Sequence, residues 1–156
     1  MIEVDIPSFG KLALEHLVLD YNGTLAQDGD LLPGVREGLT SLAGRLTVHV
    51  LTADTFGKAR RALEGVSCNC VVMAPEEQAQ AKADYVERLG AAKVASIGNG
   101  RNDRLMLQKA ALGMVILQGE GTATESLLAA RIVCREIQDA LDLLLSPLRL
   151  TATLRG

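Results

Sequence analysis

Apolar positions along this chain fall into two alternating regimes: short runs, continuous or alternating with polar residues, and longer stretches where they recur every three or four positions. "IEVDI" (2–6) alternates, "PSFGK" interrupts, and "LALEH" (12–16) alternates again, which predicts an N-terminal β-hairpin, assigned to residues 1–15. "LVLD" (17–20) is apolar up to its last residue, as in a strand covered on both faces. After Pro33, Val35, Leu39 and Leu42 fall on one helical face. "LTVHVLTAD" (46–54) reads as a strand, "TFGKARRALEG" (55–65) as a helix closed by Gly65, and "CVVMA" (70–74) as a strand. Pro75 and Gly90 bound a helix with Ala79, Ala83, Val86 and Leu89 on one stripe. Then come strand "VASIG" (94–98), helix "RNDRLMLQKAA" (101–111), strand "GMVIL" (113–117), a short helix at "TESLLAA" (124–130), strand "RIVC" (131–134) and helix "EIQDALDLLL" (136–145).

Strands alternating with helices imply βαβ units. The expectation is one α/β domain over residues 1–156, doubly wound (Rossmann-like) with a mainly parallel sheet. Its core spans 16–145, and 146–156 form a C-terminal tail. Ligands of such folds bind beyond the carboxyl ends of the strands, where strand order reverses.

Composition narrows the function classes. Hydrophobic residues make up 48% of the 156 and charged residues 22%, the balance of a soluble globular protein. A net charge of −3 supplies no basic field, so neither nucleic acid nor an anionic membrane is an expected partner. No apolar run approaches the roughly 18 residues of a membrane span. Glu3 and Asp5 near the start do not suit a signal peptide, so a cytoplasmic location is expected. Cys68, Cys70 and Cys134 read as three buried, reduced thiols, since no histidine lies near "CNC" to complete a zinc site. His49 reads as a core histidine and "KARR" (58–61) as a solvated helix face.

The polar residues just past the strands hold the candidate chemistry. Asp20, Asn22 and Thr24 follow the first buried strand, and Thr52 and Asp54 the second. Lys82 lies in a helix, and "GNGRND" (98–103) follows "VASI" with Asn99 and Asp103. An aspartate can attack phosphorus and carry the phosphoryl group as an acyl phosphate. A hydroxyl and an ammonium can hold the phosphoryl oxygens, and a magnesium ion can bridge the carboxylates to it.

In these residues the chain resembles the haloacid dehalogenase-like superfamily. "DYNGTL" is similar to its Asp-x-Asp-Gly-Thr motif, Thr52 in "VLTAD" to its second motif, Lys82 to its third and "GNGRND" to its fourth. The gaps of 32, 30 and 17 residues suit the family's order. Within the superfamily the likeness is nearest to the phosphorylation domain of P-type ATPases, over roughly residues 15–145. The resemblance implies Asp20 as nucleophile, and Gly23, Thr24, Thr52, Ala53 and Lys82 as phosphate ligands. It implies Mg2+ held by Asp20, the Asn22 backbone carbonyl, Asn99 and Asp103. Receiver domains also use Asp, Thr and Lys around magnesium, but their acidic pair comes first; here the acidic cluster comes last.

Two family aspartates are asparagines here. Asn22 stands where hydrolases of the family have a general acid and base, and an amide cannot shuttle a proton. Asn99 replaces a carboxylate expected at the metal. Slow turnover is therefore expected, and a non-catalytic module that binds phosphate or a phosphoprotein is the alternative. The gaps between motifs leave no room for a cap domain. An open site suits a phosphorylated substrate as large as a macromolecule, or cover by a second subunit in a homo-oligomer.

Overall fold

The computed structural model describes residues 1–54 and 57–156. Six parallel strands form the central sheet: β3 (His16–Asp20), β6 (Thr47–Thr52), β7 (Asn69–Val72), β8 (Val94–Gly98), β9 (Leu112–Ile116) and β10 (Ile132–Cys134). They lie in the order β10-β9-β8-β3-β6-β7. From β3 the chain moves outward through β6 and β7, then returns to β8 on the other side of β3. The reversal falls between β3 and β8, so their carboxyl ends border the crevice where such sheets bind ligands.

Period-two alternation gives the sheet two apolar faces. Leu17, Leu19, Val48, Val50, Ala95 and Ile97 pack with α1 (Val35–Ala43), α2 (Lys58–Ala62) and α6 (Ile137–Leu145). Val18, Leu51, Val94 and Val115 pack with α3 (Gln78–Leu89) and α4 (Arg104–Lys109), and beside α5 (Thr124–Ala129). This is the expected doubly wound α/β architecture.

The N-terminal hairpin pairs β1 (Ile2–Ile6) with β2 (Gly10–Leu14), in register Ile2 to Leu14. The second hairpin strand ends before His16, which opens β3 instead. Glu15 makes the handover: its N–H donates to the Lys93 carbonyl and its carbonyl accepts from Thr47. Residues 147–154, expected as part of a tail, form helix α7 (Pro147–Leu154), which buries Leu150 and packs on β1. Pro147 at its first position suits a helix start. A two-residue flap, β4 (Ala26–Gln27) with β5 (Asp30–Leu31), follows β3. The helix expected over 55–65 begins on residues outside the described ones, and its described part is the short α2. The helix expected from 101 opens as a 3-10 turn at Arg101–Asp103 before α4. Among the described residues no helix is long and apolar enough to cross a membrane.

Candidate active site

Strand parity aims Asp20. Leu17 and Leu19 face α1 and α6, so Val18 and the terminal Asp20 face the α3 layer. Lys82 enters from the first half of α3, on the stripe that also buries Val86. Its Nζ donates to Asp20 Oδ1 at 2.6 Å and to Asp103 Oδ1 at 2.7 Å. Lys82 is 1% exposed and Asp103 0%. Lys93, the other lysine near the third motif, lies on the surface, paired with Glu15 at 3.1 Å.

Asp103 is held by the turn that leaves β8. The backbone N–H groups of Asn99 and Gly100 donate to its Oδ2 at 3.0 and 2.9 Å. Gly98 makes this possible, because a Cβ there would lie 2.5 Å from the Asp103 Cγ. Lys82 thus takes one oxygen of Asp103 and the two N–H groups the other. Asp20 Oδ2 is less engaged. The Thr24 hydroxyl lies 3.4 Å from it and 3.2 Å from Asn99 Oδ1, and one proton serves only one of them at a time.

Two carboxylates and one ammonium therefore share a space nearly closed to water. Burial pushes the Asp20 carboxyl up to about 7 and the Asp103 charge adds to this; Lys82 and the Tyr21 backbone N–H offset only part. Burial alone would lower the Lys82 ammonium, but the two carboxylates outweigh it and hold the group above its ordinary value. The two shifts pull opposite ways on one ion pair because one cation serves two anions, and Asp20 is left short. Hard oxygen donors, Asp20 Oδ2 and Asn99 Oδ1, lie beside that undercompensated charge. The donor set fits a small hard cation such as Mg2+, although no group of three His, Cys, Asp or Glu suited to a metal occurs among the described residues.

Thr52 ends β6 one residue beyond Leu51, which pairs with Asp20. It is buried, and its hydroxyl accepts from the Asp54 N–H at 3.2 Å, while Ala53 beside it is half-buried. Thr52 thus stands at the neighbouring strand end without bonding to the lysine cluster. Asn22 is exposed beside Gly23, and its backbone bridges to Ala26. Gly23 has φ +80°, and a Cβ there would lie 2.5 Å from Asn99 Nδ2 and 2.7 Å from Glu120 Oε2.

Gln118 and Glu120 also reach the site, although the sequence motifs do not single them out. Gln118 Nε2 donates to the carbonyls of Gly23 (3.0 Å) and Thr24 (2.7 Å), sewing the loop after β9 to the loop after Asp20. The signal that could reveal them is position: "LQGEGT" follows a parallel strand, as the other candidate loops do.

Other candidates sort as expected. His49 Nδ1 meets the Tyr85 hydroxyl at 2.9 Å and its Nε2 meets His16 Nδ1 at 3.2 Å. Burial, with His16 beside it, lowers its pKa to about 4, so it is a neutral core histidine at pH 7. The helix bearing "KARR" buries Ala59 and turns Lys58 and Arg60 outward. All three cysteines are free thiols whose pKa values burial raises, but only Cys134 is buried as expected; Cys68 and Cys70 are half-buried. A cavity of about 580 Å³ lies at the opposite end of the sheet, between Glu15, Arg45, Thr47, Ser67 and Asn69, and holds none of the cluster. Charge, not volume, marks the site.

No family model matches the chain. It is 48% identical over 63 residues to the uncharacterized protein MJ0073 of Methanocaldococcus jannaschii, covering 40% of this chain and 68% of that protein. It is 49% identical over 39 residues to the uncharacterized protein MJ0072 of the same organism, covering 25% of this chain and 89% of that one. Among solved structures it is similar to a Legionella pneumophila protein assigned to the haloacid dehalogenase superfamily, subfamily III A (TM-score 0.72, 16% identity, 90% of this chain and 87% of that one). It is similar to the 3-deoxy-D-manno-octulosonate 8-phosphate phosphatase of Moraxella catarrhalis, solved with magnesium and phosphate ions and the sugar acid (TM-score 0.71, 13% identity, 91% and 94% covered). The cobalt-bound deoxy-D-mannose-octulosonate 8-phosphate phosphatase of Haemophilus influenzae gives TM-score 0.71 at 14% identity, with 92% and 94% covered.

Proposed function

This chain belongs to the same family as those two archaeal proteins and has a haloacid dehalogenase-like fold, and we propose that it is a phosphohydrolase or phosphotransferase working through an aspartyl phosphate on Asp20. The observation that carries the reading is the buried lysine between two carboxylates. Lys82 engages Asp20 through Oδ1 and leaves Oδ2 with only the Thr24 hydroxyl, 3.4 Å away.

In this reading Asp20 Oδ2 attacks phosphorus and the bond to the leaving group breaks as the acyl phosphate forms. Lys82 offsets charge on the phosphoryl oxygens, helped by the Thr52 hydroxyl once it turns from Asp54. Asp103 keeps the lysine in place. Asp20 and Asn99, with the Asn22 carbonyl, would hold Mg2+, which when bound would supply Lewis-acid neutralisation of the phosphoryl charge. Asn22 cannot protonate a leaving group or take a proton from water, so esters with good leaving groups should react best and release from Asp20 should be slow. The substrate class is a phosphorylated small molecule or macromolecule reaching an uncapped crevice.

A second reading, a non-catalytic module binding phosphate or a phosphoprotein, is favoured by the same two asparagines. Turnover separates the two. With Mg2+ present, the purified chain should hydrolyse an activated aryl phosphate, and Asp20→Asn should abolish it. Phosphate binding without turnover would favour the module.

A further inference from the structure

We propose that Glu120 supplies the negative charge that Asn99 lacks, acting as an anionic oxygen ligand of the Mg2+ assigned above, on whose metal reading this inference rests. The fourth motif offers an amide at position 99, which binds magnesium with one charge fewer than a carboxylate. Most acids around this edge of the sheet are already engaged. Asp103 already accepts from Lys82 and two N–H groups. Asp54 Oδ2 accepts from the Ala59 N–H at 2.8 Å, Asp30 pairs with Lys58 at 3.0 Å and Glu125 with Arg101 at 2.9 Å. Glu120 has no cation partner among the described residues. Its Oε1 accepts from the Asp28 N–H at 2.9 Å. Its Oε2 comes to the same point beside Gly23 as the Asn99 amide: a Cβ on Gly23 would lie 2.7 Å from both Glu120 Oε2 and Asn99 Oδ1.

The loop that delivers Glu120 is fastened at several places. Gln118 bonds Gly23 and Thr24, and Gly121 N–H closes a turn onto the Gln118 carbonyl at 2.8 Å. Thr122 Oγ1 donates to the Ile116 carbonyl at 2.6 Å. Asn99 Nδ2 itself donates to the Gly121 carbonyl at 2.9 Å. The amide that replaces a carboxylate thus uses its nitrogen to hold the loop carrying a different carboxylate. A ligand positioned this way loses little freedom when a cation arrives.

The test is calorimetric titration of the full chain with MgCl2, comparing wild type with Glu120→Gln. Glu120 is exposed, so the substitution should leave the metal-free melting temperature unchanged, which confirms folding. Magnesium should bind the variant about tenfold or more weakly, the range seen when a supporting metal-site group is lost. Adding Asn99→Asp to Glu120→Gln should restore affinity. Equal affinity in wild type and Glu120→Gln, with turnover intact, would overturn the assignment and leave the proposed function standing. Binding that depends on Glu120 in a chain that never transfers a phosphoryl group would do the reverse. A wild type that binds no magnesium would overturn this inference and the metal part of the function together.

Discussion

Two polar clusters, one buried and one partly buried, share one face of the sheet and one helix, three residues apart on α3. At Lys82 the helix meets Asp20 and Asp103; at Tyr85 it meets His49, which in turn touches His16. Both are fully hydrogen-bonded, and among the described residues no buried side-chain nitrogen or oxygen lacks a partner. They differ in charge. The histidine cluster can settle its needs with neutral groups, and His49 gives up its proton to do so. The lysine cluster can do so only by keeping a proton on Asp20, because one ammonium faces two carboxyl groups. A satisfied neutral network is what a core needs when it must bury polar atoms. An imbalance of charge in a buried crevice is a feature stability alone would not retain, which points to a ligand.

Breaking the charged cluster should have the largest effect. Lys82→Met leaves two buried carboxylates facing each other and should cost about 3–5 kcal/mol, read from urea unfolding. A cost no larger than that of removing the Tyr85 hydroxyl would erase the distinction between the clusters.

The clusters should also respond to pH with opposite signs. Between about 3.8 and 7 folded Asp20 holds a proton that the unfolded chain has lost, so its contribution to stability falls as pH rises. Between about 4 and 6.5 the unfolded chain protonates His49 and the fold does not, so that contribution rises with pH. At 1.36 kcal/mol per unit these amount to at most about 4 and 3 kcal/mol. In metal-free wild type the slopes largely cancel. Asp20→Asn should unmask stability that rises with pH, and His49→Gln stability that falls. Unfolding free energies measured from pH 4 to 7 check both; slopes of the same sign in the two variants would refute the assignment.

The smallest effect belongs to Tyr85→Phe, about 1 kcal/mol, because His49 Nδ1 keeps Asn69 Nδ2 at 3.5 Å as an alternative neighbour. Urea unfolding reads it, and activity should be untouched.

Much of this arrangement is legible in the amino-acid sequence. Apolar runs alternating with helical periods point to the sheet and its layers, because burial on two faces leaves a strong pattern. Lys82 stands 62 residues from Asp20 and 21 from Asp103, yet strand-end position and family order name all three. What the sequence does not convey is pairing. Nothing in "TAD" says that the Thr52 hydroxyl turns to its own loop, and nothing in "GNGRND" says that Asp103 gives one oxygen to a lysine and the other to two backbone N–H groups. Helix α7 is hard to read because "PLRLTATL" is short and its apolar stripe gains meaning only against the hairpin. Glu120 is hidden for a different reason: an exposed glutamate in a glycine-rich loop looks solvated until Gly23 and Asn99 are seen against it.

The central claim, that Asp20 captures a phosphoryl group, is tested most directly by intact-mass spectrometry after incubation with acetyl phosphate and Mg2+. The expected result is a single phosphoryl adduct on wild type, absent from Asp20→Asn. It should be shed faster by Asn22→Asp, by as much as about 10²–10⁴, the contribution of a positioned general base. No adduct on wild type or on Asn22→Asp, or an adduct that survives in Asp20→Asn, would contradict it.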